Sequence, residues 1–510
     1  MVDQIDLVWP VLLPLGFAAL TACLWGAIGA QRVVTIAGVI AQLYVSLRLL
    51  FTILETGPLA IQFGGWAPPF GITFVADALA AVLVATTGVV VLGVGLFALY
   101  DMRQRHAHSG YYPLFFGLVA AVNGSFLTGD IFNLYVWFEI MLIASLGLLA
   151  ISRTPAQIDG AIKYGILNLF GTILFIFALA LIYGSAGTMN MADLARILPE
   201  LPLTPGVAAA ALMLIAAFGV KAGAFPLFFW LPASYHTANF AVGAIFAGLL
   251  TKVGVYATFR VFTLLYEAEA PVFSLVFTGL AGTTMLIGVI GAVVQTNIRR
   301  MLSFLLVSHI GNMLMGLAIA TPEALTGATF YIVHHIVVMA NLFMVAGAIA
   351  AVSGSDNLGR IGGLLRSQPL LALLFLIPAL SLSGVPPFSG FWGKFLLVDA
   401  AFRAESYWLA FIMLLAGFLT LYAVSRIWME AFWKDAPIKL SARRRLPPVY
   451  AVSIAVLGAV TVGIGLFAQP LVELSITASA EMLDPASYVA AVFGEPEAVR
   501  LGESLPGETQ

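Results

Sequence analysis

The chain has 510 residues, of which 61% are hydrophobic and 9% charged, whereas ordinary soluble domains carry roughly 25% charge. That excludes a soluble protein, and 23 basic against 25 acidic residues, a net charge of -2, leave no basic excess of the kind a nucleic-acid backbone selects. The single cysteine, Cys23, excludes a disulfide framework, a thiolate-held iron–sulfur cluster and a cysteine zinc site.

A transmembrane helix needs about 20 mostly apolar residues, and about fourteen such runs follow one another along the chain. They lie near 7–26, 33–54, 72–99, 112–128, 131–151, 161–186, 206–236, 241–264, 271–295, 300–320, 325–352, 369–401, 405–432 and 449–475. The expected fold is therefore an all-α polytopic membrane protein. The first run has no basic n-region and no A-x-A-like cleavage site, and it reads as a retained helix. Basic residues next to membrane helices stay preferentially on the cytoplasmic side. Odd-numbered connections hold Arg32, Arg103, Arg105, Arg153, Lys163, Arg299, Arg300, Arg360, Arg366, Arg426, Lys434, Lys439 and Arg443 to Arg445; even-numbered ones hold Arg48, Arg196, Arg260 and Arg403. Odd connections are thus expected in the cytoplasm and both termini outside, with an acidic tail (Glu481, Asp484, Glu495, Glu497, Glu503, Glu508) beyond the last span. No connection is long enough for a soluble domain, so no cofactor is expected here, and any large catalytic module belongs to another chain.

Three lysines remain inside the spans: Lys221, Lys252 and Lys394, out of six in the chain. Insertion scales put a central lysine at about 2.5 to 3.5 kcal/mol, so each needs a reason to be there. Glu139, in IFNLYVWFEIMLIASLG, is the carboxylate nearest the middle of a span. An isolated Lys–Glu pair also serves as a staple between helices. Here cations exceed anions, and a lysine whose protonation responds to a movable carboxylate is a proton site.

Span seven, AFGVKAGAFPLFFWLPASYH, is interrupted at Gly223 and Pro226, just after Lys221. Span twelve, ALSLSGVPPFSGFWGKFLL, is interrupted at Gly384, Pro386 and Pro387, just before Lys394. Proline removes a backbone hydrogen bond and frees a carbonyl at the end of the preceding half-helix. One such break is an ordinary proline kink. Two breaks five spans apart cross the membrane in opposite directions, which is the layout of an inverted repeat with an ion path at the midplane. Among the histidines, His309 and the pair His334–His335 lie deep, whereas His106, His108 and His236 are interfacial. A deep histidine is often a packing residue, but its ring titrates near neutrality in water and can pass protons between distant lysines. Adjacent helical residues point about 100° apart, and His335 is the one of the pair expected on the path. No HExxH and no i, i+4 histidine pair points to a metal.

In these segments the sequence resembles the antiporter-like subunit family shared by respiratory complex I, membrane-bound hydrogenases and Mrp-type multisubunit Na⁺/H⁺ antiporters. The resemblance covers roughly spans three to thirteen. It is carried by Glu139, KAGAFPLFFWLPASY from Lys221, LLTKVGVY around Lys252, NIRRMLSFLLVSHIG from Asn297, the histidine pair and GVPPFSGFWGKF ending at Lys394. The resemblance implies N-terminal helices 1–3 (1–105), two inverted five-helix repeats (106–266 and 267–434), and a last helix with an acidic external tail (435–510). It further implies that Glu139 tunes Lys221, that Lys252 with His309 and His335 relays along a central hydrated axis, and that Lys394 ends the second half-channel. Length and detail are most similar to the D-type Mrp subunit. The A-type carries a longer C-terminal extension, and one complex I counterpart has Glu where this chain has Lys394. The function implied is proton translocation within a multisubunit cation/proton antiporter of the bacterial inner membrane. Its partners are other membrane subunits, H⁺, Na⁺ and the lipid bilayer. The alternative is a pump subunit of a complex I-like dehydrogenase or membrane-bound hydrogenase. A carrier for an organic solute would need polar substrate groups beside the breaks, where the neighbours of Lys221 and Lys394 are aliphatic and aromatic.

Overall fold

A computed structural model of the chain describes residues 2–102, 104–202, 204–266, 270–435 and 445–494. Arg103, the Arg105 side chain, Lys439, Arg443, Arg444, Glu495, Glu497, Arg500, Glu503 and Glu508 lie outside the described residues. In hydrocarbon every backbone amide and carbonyl has to be paired within its own segment, which is why the apolar runs become helices. In chain order they are α1 (Trp9–Cys23), α2 (Ile28–Thr56), α3 (Ala78–Asp101), α4 (Tyr111–Leu127), α5 (Ile131–Leu149), α6 (Pro155–Ala186) and α7 (Pro205–Ala222). There follow α8 (Phe240–Leu264), α9 (Pro271–Val293), α10 (Ile298–Ile319), α11 (Pro322–Ser353), α12 (Pro369–Ser383), α13 (Ser389–Arg403) and α14 (Tyr407–Trp433). Last come α15 (Pro448–Leu466), α16 (Gln469–Leu483) and α17 (Pro485–Phe493). Eleven of the described helices are long and apolar enough to cross a membrane, and the shorter apolar helices α1, α4 and α12 stand at the remaining expected spans. The centre is formed by α3, α8, α10 and α11, whose side chains are buried almost all round, while α2, α6 and α14 keep broad apolar faces on the outside.

The two ends of the bundle can be told apart along α3, whose 24 residues span about 36 Å. At its start lies an antiparallel hairpin of β1 (Leu59–Gln62) and β2 (Thr73–Ala76), with Leu59 opposite Ala76 and Gln62 opposite Thr73. The hairpin meets the connection between α4 and α5 through Gly129 N–H donating to Thr73 (2.8 Å). That connection pairs in turn with the one after α6, at Asp130 and Asn190. At the other end of α3, Asp101 accepts from the Ala241 amide and from the Tyr450 hydroxyl. There the start of α10 is pinned to the connection after α11 by a bridge between Asn297 and Asn357 and by the Arg299–Asp356 ion pair at 2.7 Å. The connections after α2, α4 and α6 thus lie at the hairpin end and those after α3, α9 and α11 at the opposite end.

Three sequence expectations need correction. Span three does not begin at residue 72: Asp77 caps α3 by accepting the Ala80 amide (2.9 Å), and the residues before it pair as β2. Span fourteen stops at Leu466 and not near 475, and Glu481 and Asp484 of the expected tail belong to α16 and to the cap of α17, which pack on the bundle. Arg260 does not stand in a connection. It lies within α8, 2% exposed, with its guanidinium 2.6 Å from Asp77.

The refolded end of α16 creates a pH-sensitive contact at the hairpin end. Glu481 accepts the Ala78 amide at 2.8 Å. Burial, and then the charge of Asp77, push its carboxyl up to about 7, while the Ala78 amide and Arg260 pull it back. A carboxyl raised on folding is protonated in the folded protein where the unfolded chain has already lost the proton. Its contribution to docking is therefore present below about pH 4.5 and is lost as pH rises through about 7. Amide hydrogen exchange of residues 469–493 is expected to speed up between about pH 6 and 8 and to lose that pH step in Glu481→Gln.

Candidate proton-translocation site

Both helix breaks are built alike. At the first, α7 ends at Ala222 and Gly223 adopts φ 77°, a left-handed conformation that glycine adopts without strain. The Gly223 amide returns to Gly219 and Val220 and the Ala224 amide to Gly219, closing the helix in a Schellman turn. At the second, α12 ends at Ser383, Gly384 adopts φ 87°, its amide returns to Leu380 and Ser381, and that of Val385 to Leu380. The freed carbonyls differ in their partners. The Val220 carbonyl accepts the Trp230 indole N–H at 2.9 Å, whereas the Ser383 carbonyl accepts the Lys394 ammonium at 2.8 Å. An ammonium on the carbonyl end of a half-helix is favoured by the helix dipole.

Lys221 occupies the last turn of α7, 3% exposed. Its Nζ makes no hydrogen bond among the described residues and lies 5.4 Å from the Phe138 ring centroid. Glu139, next to Phe138 on α5, is the charged group that acts on Lys221, yet the two form no ion pair within 4.0 Å, and Oε1 of Glu139 is buried without a hydrogen bond. The pair is thus near but open.

Lys252 is fully enclosed in α8 and donates to the Ala247 carbonyl. That bond is made possible by a π-helical stretch over Phe246–Leu250, because an i→i+5 turn leaves a carbonyl out of the regular ladder. Composition carries no signal of this stretch. Two residues on, Gly254 sits directly on the backbone of Lys221 and Ala222, where a Cβ would overlap the Ala222 amide. The contact brings α7 and α8 together at their lysines. Gly254→Ala is expected to push them apart at a cost of about 1–3 kcal/mol, seen as a lower melting temperature of the purified protein and lost exchange activity.

Four helices meet around the deep histidines. Nδ1 of His309 (α10) contacts the Tyr331 hydroxyl (α11), Nε2 lies 3.4 Å from Oγ1 of Thr420 (α14), and the Asn312 amide donates to the Tyr331 hydroxyl at 2.8 Å. The His335 ring lies 5.2 Å from that of His309 and 6.1 Å from Tyr331, with both ring nitrogens unbonded among the described residues. His334 points the other way, Nδ1 2.8 Å from Oγ of Ser389, which is 3.0 Å from Oγ of Ser381 at the second break. His309 and His335 both lie within electrostatic reach of Lys252 and of Lys394. The structure therefore gathers Lys252, His309, His335 and Lys394 into one neighbourhood and sets Lys221 and Glu139 in a second across the Gly254 contact. Tyr331, Asn312, Ser389, Ser381 and Thr420 belong to the first, although their residue types carry no signal in the sequence. Beside Lys394 a cavity of about 430 Å³ opens between α12, α13 and α14, lined by Gly384, Pro386, Phe391, Gly417 and Phe418.

A multi-pass helical bundle with two broken helices and an enclosed row of lysines and histidines defines a class: membrane proteins that handle a small cation at mid-depth. Residues 128–420 match the family model described as NADH:quinone oxidoreductase/Mrp antiporter, TM, and the chain belongs to that family. It is 41% identical over 465 residues to the D-type Na(+)/H(+) antiporter subunit of Alkalihalophilus pseudofirmus, covering 91% of this chain and 94% of the relative. A chain in the structure of the Mrp complex from Dietzia sp. DQ12-45-1b superposes with a TM-score of 0.91 at 31% identity, covering 97% of this chain and 100% of that one. A chain of the membrane-bound sulfane sulfur reductase, an archaeal respiratory membrane complex, superposes with a TM-score of 0.89 at 27% identity, covering 96% and 100%.

Proposed function

We propose that this chain is the proton-translocating subunit of a multisubunit Na⁺/H⁺ antiporter and acts as a transporter, not an enzyme. The observation that carries the reading is the buried series Lys221, Lys252, His335 and His309, with the half-buried Lys394 beside the second of two helix breaks of the same construction. A charged Lys221 is held by the field of Glu139, and weakening that hold releases its proton towards Lys252. The histidines pass it on, and Lys394 exchanges it beside the second break. Membrane potential assists, since a charge crossing inward gains roughly 2.3 kcal/mol per 100 mV.

Residues 106–266 and 267–434 act as two inverted halves in this scheme. The bridges Asp130–Asn190 and Asn297–Asn357 support it: Asn297 follows Asp130, and Asn357 follows Asn190, by the same 167 residues, and the two bridges lie at opposite ends of the bundle. In this reading the hairpin end faces the exterior of a bacterial cell membrane, the arginine-rich odd connections face the cytoplasm, and both chain termini are external. The likeness to a respiratory complex favours a second reading, a pump subunit powered by electron transfer in partner chains. Purifying the native complex separates the two. Small membrane subunits without flavin or iron–sulfur centres, with sodium-dependent proton movement in vesicles, support the antiporter; flavin or iron–sulfur partners overturn it.

A further inference from the structure

The hydrogen bonds around His309 add up in only a few ways. Thr420 gives its hydroxyl proton to the Ala416 carbonyl at 2.7 Å, so towards Nε2 of His309 its oxygen can only accept, and Nε2 carries the proton. On the other side Asn312 donates to the Tyr331 hydroxyl. That leaves the phenol proton for Nδ1 of His309, and the ring is the neutral form with Nδ1 as acceptor. The polarity runs from Asn312 through Tyr331 to His309. In this arrangement Oδ1 of Asn312 is buried, 2% exposed for the residue, and has no hydrogen-bond partner among the described residues, which is costly in a low-dielectric interior.

The same heavy-atom positions serve the opposite polarity. If the Asn312 amide turns over, Oδ1 accepts from the Tyr331 hydroxyl, the phenol oxygen accepts from Nδ1–H, and Nε2–H stays on Thr420. His309 is then an imidazolium whose Nδ1–H and Nε2–H both have acceptors, while the Asn312 NH2 replaces its oxygen at the position without a hydrogen-bond partner among the described residues, so either polarity leaves one end of that amide unpaired. We propose that Asn312 and Tyr331 are positioning residues that let His309 take up and release a proton by reversing the direction of this three-membered chain. The step balances as a pure proton transfer: the Tyr331 O–H breaks as the His309 Nδ1–H forms, and the phenol oxygen takes the incoming proton, with no net change in Tyr331. His335, whose ring stacks on Tyr331 and packs tilted against His309 and whose ring nitrogens carry no hydrogen bond among the described residues, is the neighbouring titratable ring that the proposal assigns as the source of that proton.

The proposal rests on the transport reading above for its purpose, but its test does not depend on transport. Nitrogen-15 NMR of histidine-labelled protein in lipid bilayers, with His309 assigned by loss of its signals in His309→Gln, is expected to show two forms. One has Nε2–H with Nδ1 as a hydrogen-bond acceptor, and the other is doubly protonated and appears as pH falls. Tyr331→Phe, which keeps the ring, is expected to abolish the acceptor signature at Nδ1. Asn312→Leu is expected to abolish the doubly protonated form over the same pH range, because the reversed chain then has no terminal acceptor. In reconstituted complex each variant is expected to slow exchange about a hundredfold, the lower range for a lost proton-transfer group. A wild-type spectrum with Nδ1–H and bare Nε2 overturns the proposal, even if neither variant assembles. So do variants whose His309 signals match the wild type. Correct NMR behaviour with no sodium-dependent proton movement would instead overturn the transport reading and leave the switch standing.

Discussion

Replacing Lys221 with alanine is expected to abolish sodium-driven proton movement in vesicles, by about 100-fold or more, while the protein still assembles and is recovered in normal amount. The reason lies in what surrounds the ammonium. Nζ makes no hydrogen bond among the described residues, and its near neighbours are the Phe138 ring and the field of Glu139, so the side chain stabilises little in the folded structure. Removing a buried, weakly held charge takes away a desolvation cost and leaves a small apolar gap. Glu139→Gln should have the same transport phenotype by another route, since the amide keeps the shape and loses the charge that holds the Lys221 proton. Proton movement measured with a pH-sensitive dye in inverted vesicles, beside a blot for the assembled complex, checks both. Antiport that survives in both variants removes the first half of the relay.

Particular residues show what sequence can and cannot carry. The breaks are legible because GAFP and GVPP combine the residue that ends a helix in the left-handed conformation with the residue that cannot continue it. The lysines are legible because a charge inside an apolar run is expensive. The π-helical turn before Lys252 is not, since FAGLL differs from regular helix only in how one carbonyl is directed. Nor is the polar group around His309: Tyr331, Asn312 and Thr420 are brought together by three separate helices, and each alone reads as an ordinary helix residue. The histidine pair illustrates the same limit. Two neighbours on a helix do point apart, but α11 is enclosed on all sides, so His335 meets His309 on α10 while His334 meets Ser389 on α13. A face argument assumes one wet side, and a central helix has none.

Arg260 departs furthest from its expected position, and its pairing with Asp77 leads to the strongest expected effect on folding. The two side chains are 3% and 2% exposed, joined at 2.6 Å, with a second bond of 2.8 Å from the guanidinium to the other carboxylate oxygen. Arg260 also lies over the rings of Tyr256 and Tyr488, at 5.3 and 5.1 Å, which ties α8 to α17 as well as to the start of α3. Asp77→Leu leaves the guanidinium buried without its counter-charge, and breaking a buried pair from one side costs about 3–5 kcal/mol. The expected result is a protein that melts well below the wild type or fails to accumulate. Arg260→Met alone is expected to do less damage, because the Asp77 carboxylate still caps the Ala80 amide at the start of α3. The double variant should recover most of the loss caused by Asp77→Leu, as apolar replacements of whole buried pairs often do. Thermal melts of the four proteins form a double-mutant cycle. A coupling of a few tenths of a kcal/mol would mean that water screens the pair, whereas a large coupling would make it the clamp that holds the C-terminal helices on the bundle.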